Sequence, residues 1–107
     1  MNKTLLKLLS VIKKNKKKNI KKSYTAKLFK SGISGCKKKF IEEVNELIVS
    51  FKHSKKNIIH EAADVFFHYL VLLELKRINF KEVVKELKKR SNMSGISEKL
   101  NRNKNVR

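Results

Sequence analysis

The sequence predicts an all-α fold, an antiparallel bundle of about four to five helices, on three observations. Proline is absent and glycine occurs only 3 times in 107 residues, so helix breakers and tight turns are scarce. Apolar residues recur at helical spacing in successive segments, with none of the strict alternation of a half-buried strand. The breaks between these segments are short and polar, which makes successive helices antiparallel neighbours. A single domain of this length buries only roughly 60–70% of the surface its unfolded chain exposes, which leaves room for an oligomer that shares a core.

Taken in order, Leu5, Leu6, Leu8, Leu9 and Ile12 define a first amphipathic helix from Thr4 to Lys14. Lys16 to Lys22 reads as a charged linker. Ser23 is placed to cap a short helix through Lys30, with Gly32 just past its end and a loop from Ser31 to Gly35. Phe40, Val44, Leu47, Ile48 and Phe51 mark a second major helix, Lys37 to Lys52. After a break at His53 and Ser54, the segment from Lys55 to Arg77 is apolar around most of its circumference, as expected at the centre of a bundle or in a subunit interface. Asn79 is a candidate N-cap for a last helix, Phe80 to Arg90, packed through Val83, Val84 and Leu87. From Ser91 the tail is polar, basic and expected to be loosely ordered.

Composition narrows the function classes. The formal charge is +19, yet only 4 of the 28 basic residues are arginine, the residue that base readout and bidentate phosphate grips favour. No groove-reading motif is present, so specific nucleic-acid binding is not expected, although a positive field speeds capture of any polyanion. The lone Cys36 excludes an internal disulfide and suits a reducing cytoplasm. No run approaches the roughly 20 apolar residues of a membrane span. The N-terminal apolar stretch is interrupted by Lys7 and lacks a small-residue cleavage site, so it reads as an amphipathic helix rather than a signal peptide.

The acids carry the chemistry. Residues 1–41 contain none, whereas Glu42, Glu43, Glu46, Glu61 and Asp64, 5 of the 9 acids, fall within one 23-residue span. At about 100° per residue, Glu43 and Glu46 lie about 60° apart and Glu42 continues their arc. Glu61 and Asp64 are again neighbours on one helix face, which His68 extends. Two antiparallel helices can bring these faces together. Unpaired anions on the apolar second helix would cost several kcal/mol each, so a cation must offset them. Pairing with nearby lysines, such as Lys39 four residues before Glu43, explains one such pair but not both. Converging hard oxygens suit Mg²⁺, with Mn²⁺ as the alternative.

Glu42-Glu43-x-x-Glu46 followed by Glu61-x-x-Asp64 resembles the signature of the all-α nucleoside-triphosphate pyrophosphohydrolase superfamily. Within it, Ser23 to Phe29, Glu61 to Leu73 and Ser94 to Lys99 resemble motifs of the phosphoribosyl-ATP pyrophosphohydrolase family, in order and over nearly the whole chain. The resemblance implies a cytoplasmic helical homodimer that hydrolyses phosphoribosyl-ATP to phosphoribosyl-AMP and pyrophosphate, the second step of histidine biosynthesis, with Mg²⁺. It implies Glu43, Glu46, Glu61 and Asp64 as metal ligands, with Glu42 as a further ligand or a water-orienting group. Two positions depart from the family pattern: Ile41 stands where glycine is usual, and Phe67 where tyrosine is usual.

A triphosphate repels an incoming nucleophile, so its charge must be neutralised and water aligned opposite the departing pyrophosphate. Tyr24, Lys27, Lys39, His68, Lys99 and Arg102 are the candidate substrate contacts, the cations acting on phosphates as point charges. His53 and His60 are expected to be exposed or helix-terminal, and Cys36 lacks a partner that would make it a nucleophile. Rival readings are a housecleaning (d)NTP pyrophosphohydrolase of the same superfamily, a basic helical nucleic-acid-binding protein, and a non-catalytic dimerisation module.

Overall fold

The computed structural model describes residues 1–91, which form α1 (Lys3–Asn15), α2 (Tyr24–Lys30), α3 (Gly32–Ser50), α4 (Lys55–Leu75) and α5 (Phe80–Ser91). No strand occurs among the described residues, and no helix there is long and apolar enough to cross a membrane. Lys99, Arg102 and the Ser94 to Lys99 motif lie outside the described residues.

Side chains start the helices where the sequence offers an oxygen. Asn2 Oδ1 accepts from the amides of Thr4 and Leu5, Ser23 Oγ from Ala26, and Ser54 Oγ from Asn57, each satisfying donors a helix leaves open at its start. At α5 the exchange is reciprocal: Asn79 Oδ1 accepts from the Lys81 amide while Glu82 Oε2 accepts from the Asn79 amide. The end of α4 is a Schellman turn. Arg77, at φ 58°, takes the left-handed position, and the amides of Arg77 and Ile78 bond the carbonyls of Glu74 and Leu73. The helix therefore stops at Leu75, short of the expected Arg77.

The loop expected from Ser31 to Gly35 is absent. Gly32, at φ 74°, turns the chain within one residue, and α3 begins there rather than at Lys37. Two contacts fix the corner: Ser31 Oγ donates to the Leu28 carbonyl at 2.6 Å, and the buried Cys36 thiol donates to the same carbonyl at 3.1 Å. A small-residue run that reads as a loop is thus drawn into helix by the core beneath it.

That core comprises Ile12, Leu28, Cys36, Leu70 and Val71, ringed by half-buried Leu5, Leu8, Leu9, Phe29, Phe66 and Phe67. Fully burying a residue such as Val71 contributes about 1.5–3 kcal/mol. α3 and α4 make the most extensive helix pair, and they run antiparallel: Cys36 near the start of α3 meets Leu70 and Val71 late in α4, while Glu46 meets Glu61. The charged linker is anchored by Lys16, whose Nζ lies 2.7 Å from Glu74 Oε2 and 5.9 Å from the Phe29 ring centre.

Packing departs from expectation at α5. α5 buries no residue; it docks through Phe80, edge-on to Phe66 and Tyr69, while Val84 and Leu87 are exposed and Val83 is only partly covered. In α4 the buried residues fall in the second half, and the expectation of a bundle centre or a subunit interface is compatible with an open apolar face in the first. Toward the α3–α4 turn, Ile48, Phe51, Ile59, Ala62 and Ala63 face outward. Helical spacing identifies an apolar stripe but not the surface that covers it.

Candidate active site

The i, i+3 and i, i+4 geometry of α3 stacks Lys39, Glu42, Glu43 and Glu46 along one ridge, and α4 sets Glu61 opposite. Ligand oxygens of Glu43, Glu46 and Glu61 all lie within 4.8 Å of one another. Glu43 is 5% exposed, Glu61 half-buried and Glu46 open to solvent. The carboxylate of Glu46 is held above its ordinary pKa, first by the charge of Glu43 and then by partial desolvation and the charge of Glu61. Three acids gathered against mutual repulsion offer ligand oxygens that could hold a cation. For Mg²⁺ bound at about 2.1 Å, neighbouring donors sit about 3 Å apart and opposite ones about 4 Å, so the observed spacing fits with small side-chain adjustment.

Asp64 falls outside that triad. It groups with His60 and Glu61, again within 4.8 Å, so the two groups of three share Glu61. His60 Nε2 is 3.4 Å from Asp64 Oδ2. On the α3 side, Lys39 Nζ lies 3.2 Å from Glu43 Oε2 and 3.8 Å from Glu42 Oε1. Its hydrogen bond to Glu43 raises the ammonium pKa, so the lysine stays charged beside the acids.

α2 packs against both α3 and α4 and brings Tyr24 to the edge of the site. The Tyr24 hydroxyl is 2.9 Å from His68 Nε2, and His68 Nδ1 is 2.7 Å from the Asp64 carbonyl oxygen. A carbonyl only accepts, so Nδ1 carries a proton, and an Nε2 without one accepts from the Tyr24 hydroxyl. The 6% exposed imidazole therefore has both nitrogens engaged. Tyr24 also stacks on Phe67, with ring centres 6.4 Å apart. Burial raises the phenol pKa, Lys39 opposes the rise, and the carboxylates of Glu43 and Asp64 add to it. The hydroxyl is thus placed in the fields of both acidic groups.

An open groove of about 320 Å³ runs from this edge along α2 and α3, lined by Tyr24, Lys27, Ser31, Lys38, Lys39 and Glu42. The structure so brings together all five sequence-predicted acids with Tyr24, Lys27, Lys39 and His68. Ile41, in the position where the family usually has glycine, is 59% exposed and does not narrow the carboxylate cluster within this chain. Sequence reasoning missed Lys38 as a groove residue. His60, expected to be exposed or helix-terminal, has a side chain 70% exposed, and its contact with Asp64 four residues on is the feature that the expectation lacked.

The fold and the site define a class: all-α proteins that present a carboxylate ridge, shared by two antiparallel helices, beside a lysine-lined groove. The family description phosphoribosyl-ATP pyrophosphohydrolase matches residues 5–91, and the chain belongs to that family. It is 39% identical over 104 residues to the phosphoribosyl-ATP pyrophosphatase of Vesicomyosocius okutanii, covering 96% of this chain and 99% of that protein. The phosphoribosyl-ATP pyrophosphatase of Leptospira biflexa is 44% identical over 87 residues, covering 80% of this chain and 95% of the relative. The histidine biosynthesis bifunctional protein of Helicobacter hepaticus is 44% identical over 96 residues, and the chain spans 42% of that longer protein.

Proposed function

We propose that this chain hydrolyses phosphoribosyl-ATP to phosphoribosyl-AMP and pyrophosphate, the second step of histidine biosynthesis, with Mg²⁺ or Mn²⁺ at the carboxylate ridge. The observation that carries the reading is the meeting of Glu43, Glu46 and Glu61 across α3 and α4 beside the lysine groove. Glu43, Glu46, Glu61 and Asp64 would hold the cation, which supplies charge neutralisation of the phosphates and a more acidic water.

The chain's own residues supply the rest. Lys27 and Lys39 bind phosphate oxygens from the groove, and Lys38 adds a third cation to that wall. Glu42, outside both groups of three, takes the proton of the attacking water. His68 acts on substrate through Tyr24, fixing the hydroxyl at the groove wall. Lys99 and Arg102 are further candidate phosphate contacts.

A homodimer belongs to the same proposal. Ile48, Phe51 and Ile59 are 62%, 65% and 59% exposed, and a bare apolar face of this kind on a small domain supports covering by a second copy. The setting is the cytoplasm. The test is pyrophosphate release from phosphoribosyl-ATP assayed beside dATP, dCTP and dUTP. Preference for phosphoribosyl-ATP supports the reading, and equal or better turnover of a deoxynucleotide replaces it with a housecleaning activity.

A further inference from the structure

The chain has three histidines, and the structure separates their roles. His68 is buried with both ring nitrogens engaged, and His53 lies in the turn after α3. His60 directly precedes Glu61 on the first half of α4, with its side chain 70% exposed and Nε2 3.4 Å from Asp64 Oδ2. Its ligand nitrogen lies within 4.8 Å of ligand oxygens of both Glu61 and Asp64, and Glu61 belongs equally to the Glu43–Glu46 group. The acidic site therefore has two unlike ends: two further carboxylates, Glu43 and Glu46, on one side of Glu61, and one carboxylate, Asp64, with an imidazole on the other.

We infer that His60 is a nitrogen ligand at the α4 end of the site and sets which divalent cation the protein prefers, an inference that rests on the metal-dependent hydrolysis proposed above. Carboxylate oxygens alone suit Mg²⁺, which gains little from imidazole; Mn²⁺ and, more strongly, Co²⁺ accept nitrogen donors. A side chain that is mostly exposed can reorient at small cost to complete a coordination sphere. The plain alternative is a surface contact between His60 and Asp64 one helical turn apart, which leaves metal preference untouched.

The two are separated by titrating the metal-stripped full chain calorimetrically with Mg²⁺, Mn²⁺ and Co²⁺, as wild type and as His60→Ala. Because His60 is exposed, the variant is expected to keep its circular dichroism and melting behaviour. The expected result is loss of Mn²⁺ and Co²⁺ affinity by about 10-fold or more with Mg²⁺ affinity within about 2-fold. Pulsed electron paramagnetic resonance of the Mn²⁺ protein should show nitrogen coupling that disappears in the variant. An unchanged Mn²⁺ to Mg²⁺ affinity ratio with no nitrogen coupling overturns the role of His60 while leaving the oxygen site intact. Failure of both proteins to bind any of the three cations removes the underlying proposal as well.

Discussion

Glu43→Gln separates the pairing of this side chain with Lys39 from the cation binding proposed for it. Glu43 is 5% exposed and 3.2 Å from Lys39 Nζ, so its replacement breaks an ion pair on the buried side. The Lys39 side chain is 37% exposed, however, and recovers hydration when its partner is neutralised. The loss in metal-free stability is then that of a partly screened pair, about 1 kcal/mol or less. Cation binding responds differently. At a free Mg²⁺ concentration about 100 times the wild-type Kd, binding stabilises the fold by about 2.7 kcal/mol. Changes next to a metal ligand weaken affinity by 10–100-fold, and loss of a ligand lies at the upper end. A 100-fold loss would leave about 0.4 kcal/mol at the same Mg²⁺ concentration. Each kcal/mol corresponds to roughly 4–8 °C in Tm for a domain of this size. Differential scanning calorimetry with and without Mg²⁺ reads both effects. A large Mg²⁺-dependent rise in Tm in wild type, nearly absent in Glu43→Gln, is expected. A rise of equal size in the two proteins would refute Glu43 as a ligand.

Other expectations follow from the same geometry. Tyr24→Phe removes the proton donor to a buried imidazole and is expected to lower stability by about 1 kcal/mol, the low end because Tyr24 is half exposed; a chemical denaturation series checks this. Glu46, raised above its ordinary value of 4.5, keeps a proton in the folded chain that the unfolded chain has already released. Its contribution to metal-free stability therefore falls as pH rises from 4.5 to the raised value and is flat above it; the difference between wild type and Glu46→Gln in melts across pH isolates this slope, and a slope of opposite sign contradicts the like-charge cluster. Alanine usually gains about 1 kcal/mol over glycine inside a helix. Gly35→Ala is nevertheless expected to destabilise by about 1–3 kcal/mol, because its Cβ would meet Ser31 Cβ and Oγ at 2.6 Å. Ile48→Glu is expected to convert a dimer to monomers in sedimentation, whereas a wild-type chain that sediments as a monomer removes the homodimer from the account.

Legibility in the sequence followed local determinism. Ser23 and Asn79 announced their caps, Gly32 its helix end, and the two acid pairs their faces, because each rests on spacing within a turn or two. The start of α3 was hidden because Ser31 to Gly35 has loop composition, and only the Leu28 carbonyl and the buried Cys36 hold it as helix. Arg77 gave no sign of its left-handed backbone, a position glycine usually fills. The outward turn of Ile48, Phe51, Ile59 and Leu87 was illegible for another reason: periodicity reports that a face is apolar, while exposure depends on which elements the chain has available to cover it. In the site, spacing brought the carboxylates to one place but could not divide them between two groups meeting at Glu61, since that division is set by side-chain rotamers.

Glu61 is the residue on which both groups converge, and it provides the most direct test. Pyrophosphate release from phosphoribosyl-ATP is measured for metal-stripped wild type and Glu61→Gln, each with and without restored Mg²⁺. The account predicts turnover only in wild type with Mg²⁺ returned, and a loss of at least about 100-fold in the variant at unchanged helical content. Full activity in the presence of a chelator, or in Glu61→Gln, would contradict it.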